Sequence, residues 1–190
     1  MSLEGTQEYI DINKIEFDVD NPRIKILMDA LEEEYGTKPT VEQIVSALMY
    51  TPAFEQLKKS IVANKGILSP IIIKMLDDNA YKCIDGNTRL AIYKTLNNES
   101  PNDEFWEKIL ATTYKNIDHD DECNILVQSN LDQAKPWDPY SRAKYLYELK
   151  NRPDWDLEKF SAICGMQATE VQQYIETYEI MEHKAVTNMG

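Results

Sequence analysis

The stretch that decides the fold runs from residue 81 to residue 91 and reads Tyr-Lys-Cys-Ile-Asp-Gly-Asn-Thr-Arg-Leu-Ala. A β-branched run at residues 71–73 precedes it, and the turn formers Asp77, Asp78 and Asn79 separate the two, so the pattern predicts a β-hairpin. Good helix formers continue from Leu90 to Leu96. We therefore predict a strand, a tight turn at the glycine and a helix, directly joined.

The turn at residues 85–89 is the strongest candidate for a functional site. A glycine between strand and helix exposes backbone N–H groups whose dipoles favour an anion. Arg89, just inside the helix, could hold a phosphate oxygen through two parallel hydrogen bonds. In the alternative interpretation, Asp85, Asn87 or Thr88 caps the helix and Arg89 pairs with a carboxylate. The residues alone leave both open.

Periodicity predicts the other elements of the first domain. Alternation from Tyr9 to Phe17 predicts one half-buried strand, and alternation from Ile109 to Tyr114 predicts a return to the sheet. A capping-box pattern at Thr40 and Gln43 predicts the start of a helix. Helical spacing and start or stop signals predict helices at residues 24–36, 41–49, 52–65 and 118–131.

A second, all-helical domain is predicted after a linker at residues 133–137. Asp138 and Pro139 are typical of a helix start. A short helix after Asp156, a turn at Gly165 and a helix opened by a capping box at Thr169 and Gln172 give a helix-turn-helix outline. We predict domains at 1–132, with a helical insertion at about 24–50, and at 138–190.

Composition describes a folded chain of 190 residues with 43% hydrophobic and 28% charged residues. It has no apolar run of about 18 to 20 residues and no basic segment followed by an apolar one, so we expect a cytoplasmic protein that does not bind membranes. The net charge of −13 weighs against a broad nonspecific nucleic-acid surface. From the Met-Ser-Leu start and the abrupt Thr-Asn-Met-Gly end we expect that the segment lacks a C-terminal region.

The sequence contains no spacing typical of a metal site. The three cysteines, Cys83, Cys123 and Cys164, are expected to be core thiols, with a catalytic thiol as the alternative. His119 and His183 are isolated. The acidic residues 118 and 120–122 could hold Mg²⁺, but an acidic first turn that complements the helix dipole is the simpler explanation.

Four segments together resemble the chromosome-partitioning ParB family. Residues 54–61 with 66–73 are similar to its first conserved box, and residues 81–91 are similar to its second, at the family's spacing. Residues 21–23 resemble an upstream Pro-Arg element of the family. Residues 129–131 together with residues 138–139 resemble its third box. The resemblance covers most of the chain except the insertion. It implies an α+β fold of the ParB/sulfiredoxin kind, a mixed sheet with helices, followed by an all-α helix-turn-helix-like domain.

The resemblance also implies a DNA-binding or regulatory protein of a bacterium, plasmid or phage, with a cytidine-nucleotide pocket for CTP or another nucleotide with Mg²⁺. Family members often dimerise, so a homodimer is an expectation. The usual second box carries Gly-Glu-Arg-Arg and a later arginine; this chain has Asn87, Thr88 and Ala91 at the differing positions, which argues against nucleotide hydrolysis. The implied pocket residues are Gly66, Ser69, Pro70, Gly86, Asn87, Thr88, Arg89 and Asn130.

Two other functions stay open. Related branches of the fold act as kinases or nucleases, so Asp85 is a candidate catalytic base or metal ligand beside Arg89. The sulfiredoxin branch places a cysteine in this turn, where this chain has Asn87. A protein-interaction module that lost both activities is the third hypothesis.

The helical domain carries mixed signals for DNA binding. Glutamine can pair with adenine, and polar residues open the second helix of the outline, whereas Glu170, Glu176 and Glu179 on the same helix would repel phosphates and favour protein–protein packing. The candidate DNA contacts are Gln167, Thr169, Gln172 and Gln173 for bases, and Arg142 and Lys144 for the backbone.

Overall fold

The computed structural model describes residues 4–21, 24–131, 139–153, 155–164 and 166–187. These form two compact units, Met1–Glu122 and Cys123–Gly190. The predicted linker at 133–137 lies outside the described residues, so the predicted domain boundary stays a prediction.

The first unit is a mixed α+β structure, as predicted. Its strands are β1 (Thr6–Asp11), β2 (Ile15–Glu16), β3 (Ile71–Asp77), β4 (Ala80–Asp85) and β5 (Lys108–Tyr114). Its helices are α1 (Lys25–Tyr35), α2 (Val41–Met49), α3 (Pro52–Ala63) and α4 (Asn87–Glu99), and α5 (His119–Leu131) begins in this unit. Short 3₁₀ turns lie at Ile12–Lys14 and Glu104–Trp106.

The five strands form one sheet in the order β1-β5-β3-β4-β2. β5 pairs antiparallel with β1 and parallel with β3, while β4 pairs antiparallel with β3 and parallel with β2. Only three residues separate β1 from β2, which lie at opposite edges. The link can span only about 14 Å, whereas the edges of a flat five-stranded sheet lie about 19 Å apart. The sheet is therefore strongly curled.

The prediction of one strand from Tyr9 to Phe17 is wrong, because that segment forms two strands. The Asp11 carboxylate accepts the Asn13 N–H at 2.8 Å and so caps the 3₁₀ turn that separates β1 from β2. Ile10, Ile12 and Ile15 are all buried on either side of the break. Alternation alone cannot reveal the break, because the apolar residues point inward in both pieces.

The core of the first unit lies between the sheet and α4. Ile71 and Ile73 of β3 and Leu90 and Ile92 of α4 are fully buried, and α2 and α3 pack against α4. The predicted capping box is confirmed: Gln43 N–H donates to Thr40 Oγ1 at 3.3 Å, and Thr40 N–H to Gln43 Oε1 at 2.8 Å. The packing of β3 on α4 fixes the start of α4 against the sheet.

The second unit contains the rest of α5 with α6 (Pro139–Lys150), α7 (Leu157–Cys164) and α8 (Ala168–Thr187). α8 packs on α6 and α7, with Val171 and Ile175 fully buried. The capping box predicted at Thr169 is wrong, because α8 already begins at Ala168 and Gln172 donates to the Glu176 carboxylate. A helix-turn-helix function for this unit stays a prediction, and Gly165 lies outside the described residues.

Two further features concern the described residues alone. Cys83 and Cys123 are buried free thiols, as predicted, and burial raises the pKa of Cys83 far above its ordinary value. The Cys164 side chain lies outside the described part. Of the helices described, none combines the length and apolar character needed to cross a membrane.

Candidate phosphate-binding site

The predicted strand, turn and helix are present, with Gly86 alone between β4 and α4. Gly86 has a φ of 107°, a conformation that residues with a Cβ rarely adopt. A Cβ at this position would also lie 2.5 Å from Ile71 Cγ2 and 2.9 Å from Ile71 Cβ. The turn therefore needs glycine for two reasons, its dihedral angle and the close approach of β3.

Arg89 ties the turn to the loop before β3. Its Nη1 donates to the carbonyl oxygens of Ser69 at 2.7 Å and Pro70 at 2.9 Å. Its Nη2 donates to Asp85 Oδ2 at 2.7 Å. The Asp85 side chain is 4% exposed and the Arg89 side chain 16%. The carboxylate pairing anticipated in the alternative interpretation is therefore realised for Arg89.

The N-cap residue of α4 is not one of the three residues proposed as caps in the alternative interpretation. Gly86 is the N-cap residue and has no side chain that could cap the helix. The Asp85 carboxylate accepts from Arg89, and the Asn87 amide oxygen accepts the Asp18 N–H. The N-cap residue therefore contributes no side-chain acceptor to the positive end of the α4 dipole.

Asn87 is almost fully buried and contacts the protein itself. Its Oδ1 accepts the Asp18 N–H at 3.1 Å, and the Asn21 side chain donates to the Ile84 carbonyl at 2.8 Å. The segment from Asp18 to Asn21 therefore contacts the turn on both sides of Gly86. Sequence patterns gave no sign of Asp18, because its partner lies 69 residues away.

The loop at residues 66–70 is held at three points. Gly66 has a φ of 131° and donates its N–H to the Ile61 carbonyl at the end of α3. The Ile67 backbone is hydrogen-bonded to the Tyr93 hydroxyl of α4. Burial raises the pKa of Tyr93, and this outweighs the lowering effect of that hydrogen bond. With Arg89 on the Ser69 and Pro70 carbonyls, both ends of the loop are anchored.

An ion-pair cluster lies beside the turn. Lys82 Nζ is 3.1 Å from Asp18 Oδ1 and 3.4 Å from Glu122 Oε2, and Lys74 also pairs with Glu122. Burial raises the pKa of Asp18, and this outweighs the lowering effect of Lys82. The sequence offered Glu122 only as a member of an acidic helix start.

Two other acidic residues of that start, Asp118 and Asp121, cap each other's backbone N–H groups. Asp121 N–H donates to Asp118 Oδ1 at 2.9 Å, and Asp118 N–H to Asp121 Oδ2 at 3.3 Å. Among the residues that the structure describes, no three His, Cys, Asp or Glu side chains are grouped so as to hold a metal ion.

Comparison with known proteins gives matches among solved structures. No protein-family model and no curated protein matches the chain. The structure of the Pnob8-like ParB-N domain matches with a TM-score of 0.50 at 18% identity, covering 94% of this chain and 53% of that one. The chain has a ParB-N-like fold. At this identity the likeness establishes the fold alone, and the chain spans about half the length of that protein.

Two ParB structures from Caulobacter crescentus, both C-terminally truncated, match with lower TM-scores. The complex with CTP-gamma-S is 17% identical with a TM-score of 0.42, covering 90% of this chain and 77% of that one. The complex with the centromeric parS site is 15% identical with a TM-score of 0.49, covering 88% and 70%.

In the ParB-N-like fold of this chain, the Ser69–Pro70 loop and the Gly86 turn are brought together, as described above. The remaining predicted residues belong to the second unit, and the Asn130 side chain lies outside the described residues. Arg142 lies over the Tyr174 ring at 5.7 Å. Among the predicted DNA contacts, Gln167, Thr169 and Gln173 are exposed, whereas Gln172, Arg142 and Lys144 are half-buried. Their roles stay predictions.

Proposed function

We propose that this chain is a ParB-like regulatory protein whose first unit binds the phosphate group of a nucleotide at the Gly86 turn. The observation that carries the proposal is the start of α4, where Gly86 is the N-cap residue and offers no capping side chain, directly after a buried strand. Uncapped N–H groups at a helix start, together with the helix dipole, favour an anion. Arg89 lies in the same turn of helix.

The charge balance suggests what such a ligand needs. Asp85 and Arg89 neutralise each other, so the attraction for an anion comes mainly from the amides of residues 87–89. These match one phosphate group. A triphosphate would bring further negative charge, which a cation such as Mg²⁺ would have to offset. The proposal therefore favours a nucleotide bound with Mg²⁺, CTP being the nucleotide that the family resemblance implies.

A charge change at Thr88 tests the site without disturbing the fold. Thr88 is half-buried and is the second residue of α4. In Thr88→Glu, a carboxylate near the helix start should stabilise the free protein by about 0.3 to 1 kcal/mol but repel phosphate. Thr88→Gln is the matched neutral control.

The measurement is a thermal-shift titration with inorganic phosphate, CTP and ATP, each with and without Mg²⁺. A ligand at one hundred times its Kd should stabilise the wild type by about 2.7 kcal/mol. We expect Thr88→Gln to keep the shift and Thr88→Glu to lose it despite an equal or higher Tm. Equal shifts in both variants, or no shift in the wild type, would overturn the proposal.

Asp85 is better suited to hold Arg89 than to act as a catalyst. It is nearly buried and accepts a hydrogen bond from Arg89, whereas a general base must reach the proton that it removes. The phosphotransferase or nuclease hypothesis predicts loss of turnover in Asp85→Asn, measured with labelled nucleotide and with plasmid DNA. Absence of any turnover in the wild type would remove the hypothesis.

DNA binding by the second unit is a second candidate function. It is favoured by the exposure of Gln167, Thr169 and Gln173 at the start of α8. It is opposed by Glu170 on the same helix and by the pairing of Lys150 with Glu179 at 2.6 Å.

A salt-dependent DNA-binding assay decides between DNA contact and a protein-interaction role. If Arg142 and Lys144 contact phosphates, replacing both by Ala should weaken binding and reduce the salt slope. Lys150→Ala is the control, because that lysine is already paired with a carboxylate. No binding by the wild type would favour the protein-interaction hypothesis, and sedimentation of the full chain would test the expected homodimer.

A further inference from the structure

Asp18 is a buried carboxylate that sequence patterns did not single out. It is 7% exposed, and its Oδ1 accepts the Asp20 N–H at 3.3 Å and lies 3.1 Å from Lys82 Nζ. Burying the Asp18 carboxylate costs free energy of desolvation, which its pairing with the part-exposed Lys82 recovers only in part. The pair is therefore poorly explained by stability alone.

The backbone of Asp18 contacts the start of α4. Its N–H donates to Asn87 Oδ1 at 3.1 Å, and its carbonyl accepts the Asn21 N–H at 3.2 Å. Asn21 in turn donates to the Ile84 carbonyl at 2.8 Å. The position of Asp18 thus sets the position of the first residue of α4 relative to the end of β4.

Lys82 is itself fixed from a second direction. Its Nζ lies 3.4 Å from Glu122 Oε2, and Glu122 is also paired with Lys74. Lys82 belongs to β4, three residues before Asp85. The ammonium group therefore holds Asp18 against the strand that leads into the turn.

We propose that Asp18 and Lys82 form a positioning pair that holds Asn87, and with it the amides at the start of α4, in the geometry that binds phosphate. This inference rests on the proposed phosphate site. Neither residue contacts the ligand in this account; both act through Asn87.

The test compares Asp18→Asn, Lys82→Met and the double variant. Lys82→Met should have the lowest Tm, because it leaves a buried carboxylate without its lysine. The double variant should recover a Tm close to that of the wild type. Its affinity for CTP with Mg²⁺ should nevertheless fall on the order of tenfold, as it does at metal sites that lose an outer-shell hydrogen-bond partner. The single variant Lys82→Arg, which keeps a cation beside Asp18, should retain most of the wild-type affinity.

Lys74→Met is the matched control, since Lys74 shares Glu122 but is not paired with Asp18. We expect its affinity to equal that of the wild type. A double variant with wild-type affinity, or a Lys74→Met variant with the same loss, would overturn the positioning pair.

Hydrogen exchange separates this inference from the proposed function. The amide of residue 18 donates to Asn87, so in the ligand-free double variant it should exchange faster than in the wild type. Failure of the wild type to bind any nucleotide would sink the phosphate site, whereas unchanged exchange at residue 18 would sink the positioning pair.

Discussion

Replacing Gly86 by Ala should damage the protein far more than the same change at Gly36, although both glycines have a positive φ. Gly36 ends α1 with a φ of 68°, and a Cβ there would meet nothing within 4 Å. At Gly86 the φ is 107° and the new Cβ would lie 2.5 Å from Ile71 Cγ2. The two substitutions therefore separate backbone strain from steric overlap.

The magnitudes follow from these geometries. Alanine in the left-handed region costs about 1 to 2 kcal/mol, which is the whole expectation for Gly36→Ala. At Gly86, backbone strain of about 1 to 3 kcal/mol adds to overpacking of about 1 to 3 kcal/mol. Ile71 is fully buried in β3, so it cannot move aside without disturbing the sheet. We expect Gly86→Ala to lower the free energy of unfolding by about 2 to 6 kcal/mol.

Urea unfolding followed by circular dichroism and tryptophan fluorescence measures both variants under the same conditions. The difference in midpoint at constant slope gives the difference in stability. If Gly86→Ala lowers the free energy of unfolding no more than Gly36→Ala does, the close contact between the turn and Ile71 is not what requires glycine.

Three further predictions concern residues near the Gly86 turn. Arg89→Met should lower the free energy of unfolding in urea by about 3 to 5 kcal/mol, because it removes the guanidinium that is paired with the nearly buried Asp85 carboxylate. Adding Asp85→Asn should recover part of this loss, and no recovery would contradict the pairing. Native Cys83 should resist iodoacetamide until urea unfolds the chain, since its thiol is fully buried with a raised pKa; rapid labelling in peptide mass spectrometry would contradict this. Burial raises the pKa of Asp18 above its ordinary 3.8, so just above pH 3.8 the native state binds more protons than the unfolded state, and the contribution of Asp18 to stability falls as the pH rises. Asp18→Asn should therefore flatten the dependence of the free energy of unfolding on pH in this range, and an unchanged dependence would refute the assignment.

Local patterns predicted most of the elements. Thr40 and Gln43 make the expected capping box, and the hairpin and the Gly86 turn lie where turn chemistry placed them. These features depend on residues close together in sequence, so their signals are readable there. The resemblance to ParB proteins gave the fold of the first unit, and the match to a ParB-N domain agrees with it.

The features that the sequence did not reveal depend on long-range contacts. The break between β1 and β2 lets the two strands form opposite edges of the sheet, where they pair with β5 and β4. Asp18 and Asn87 are 69 residues apart, and the Arg89 guanidinium reaches carbonyls 19 and 20 residues before it. No periodicity records such contacts, so the site's supporting residues could be found only in the folded chain.

Phosphate binding at the start of α4 can be observed in solution by titrating the ¹⁵N-labelled wild-type chain with CTP and Mg²⁺ and following the amide chemical shifts. We expect saturable shifts that are largest at residues 87–89. Shifts confined to other parts of the chain, or none at millimolar ligand, would contradict it.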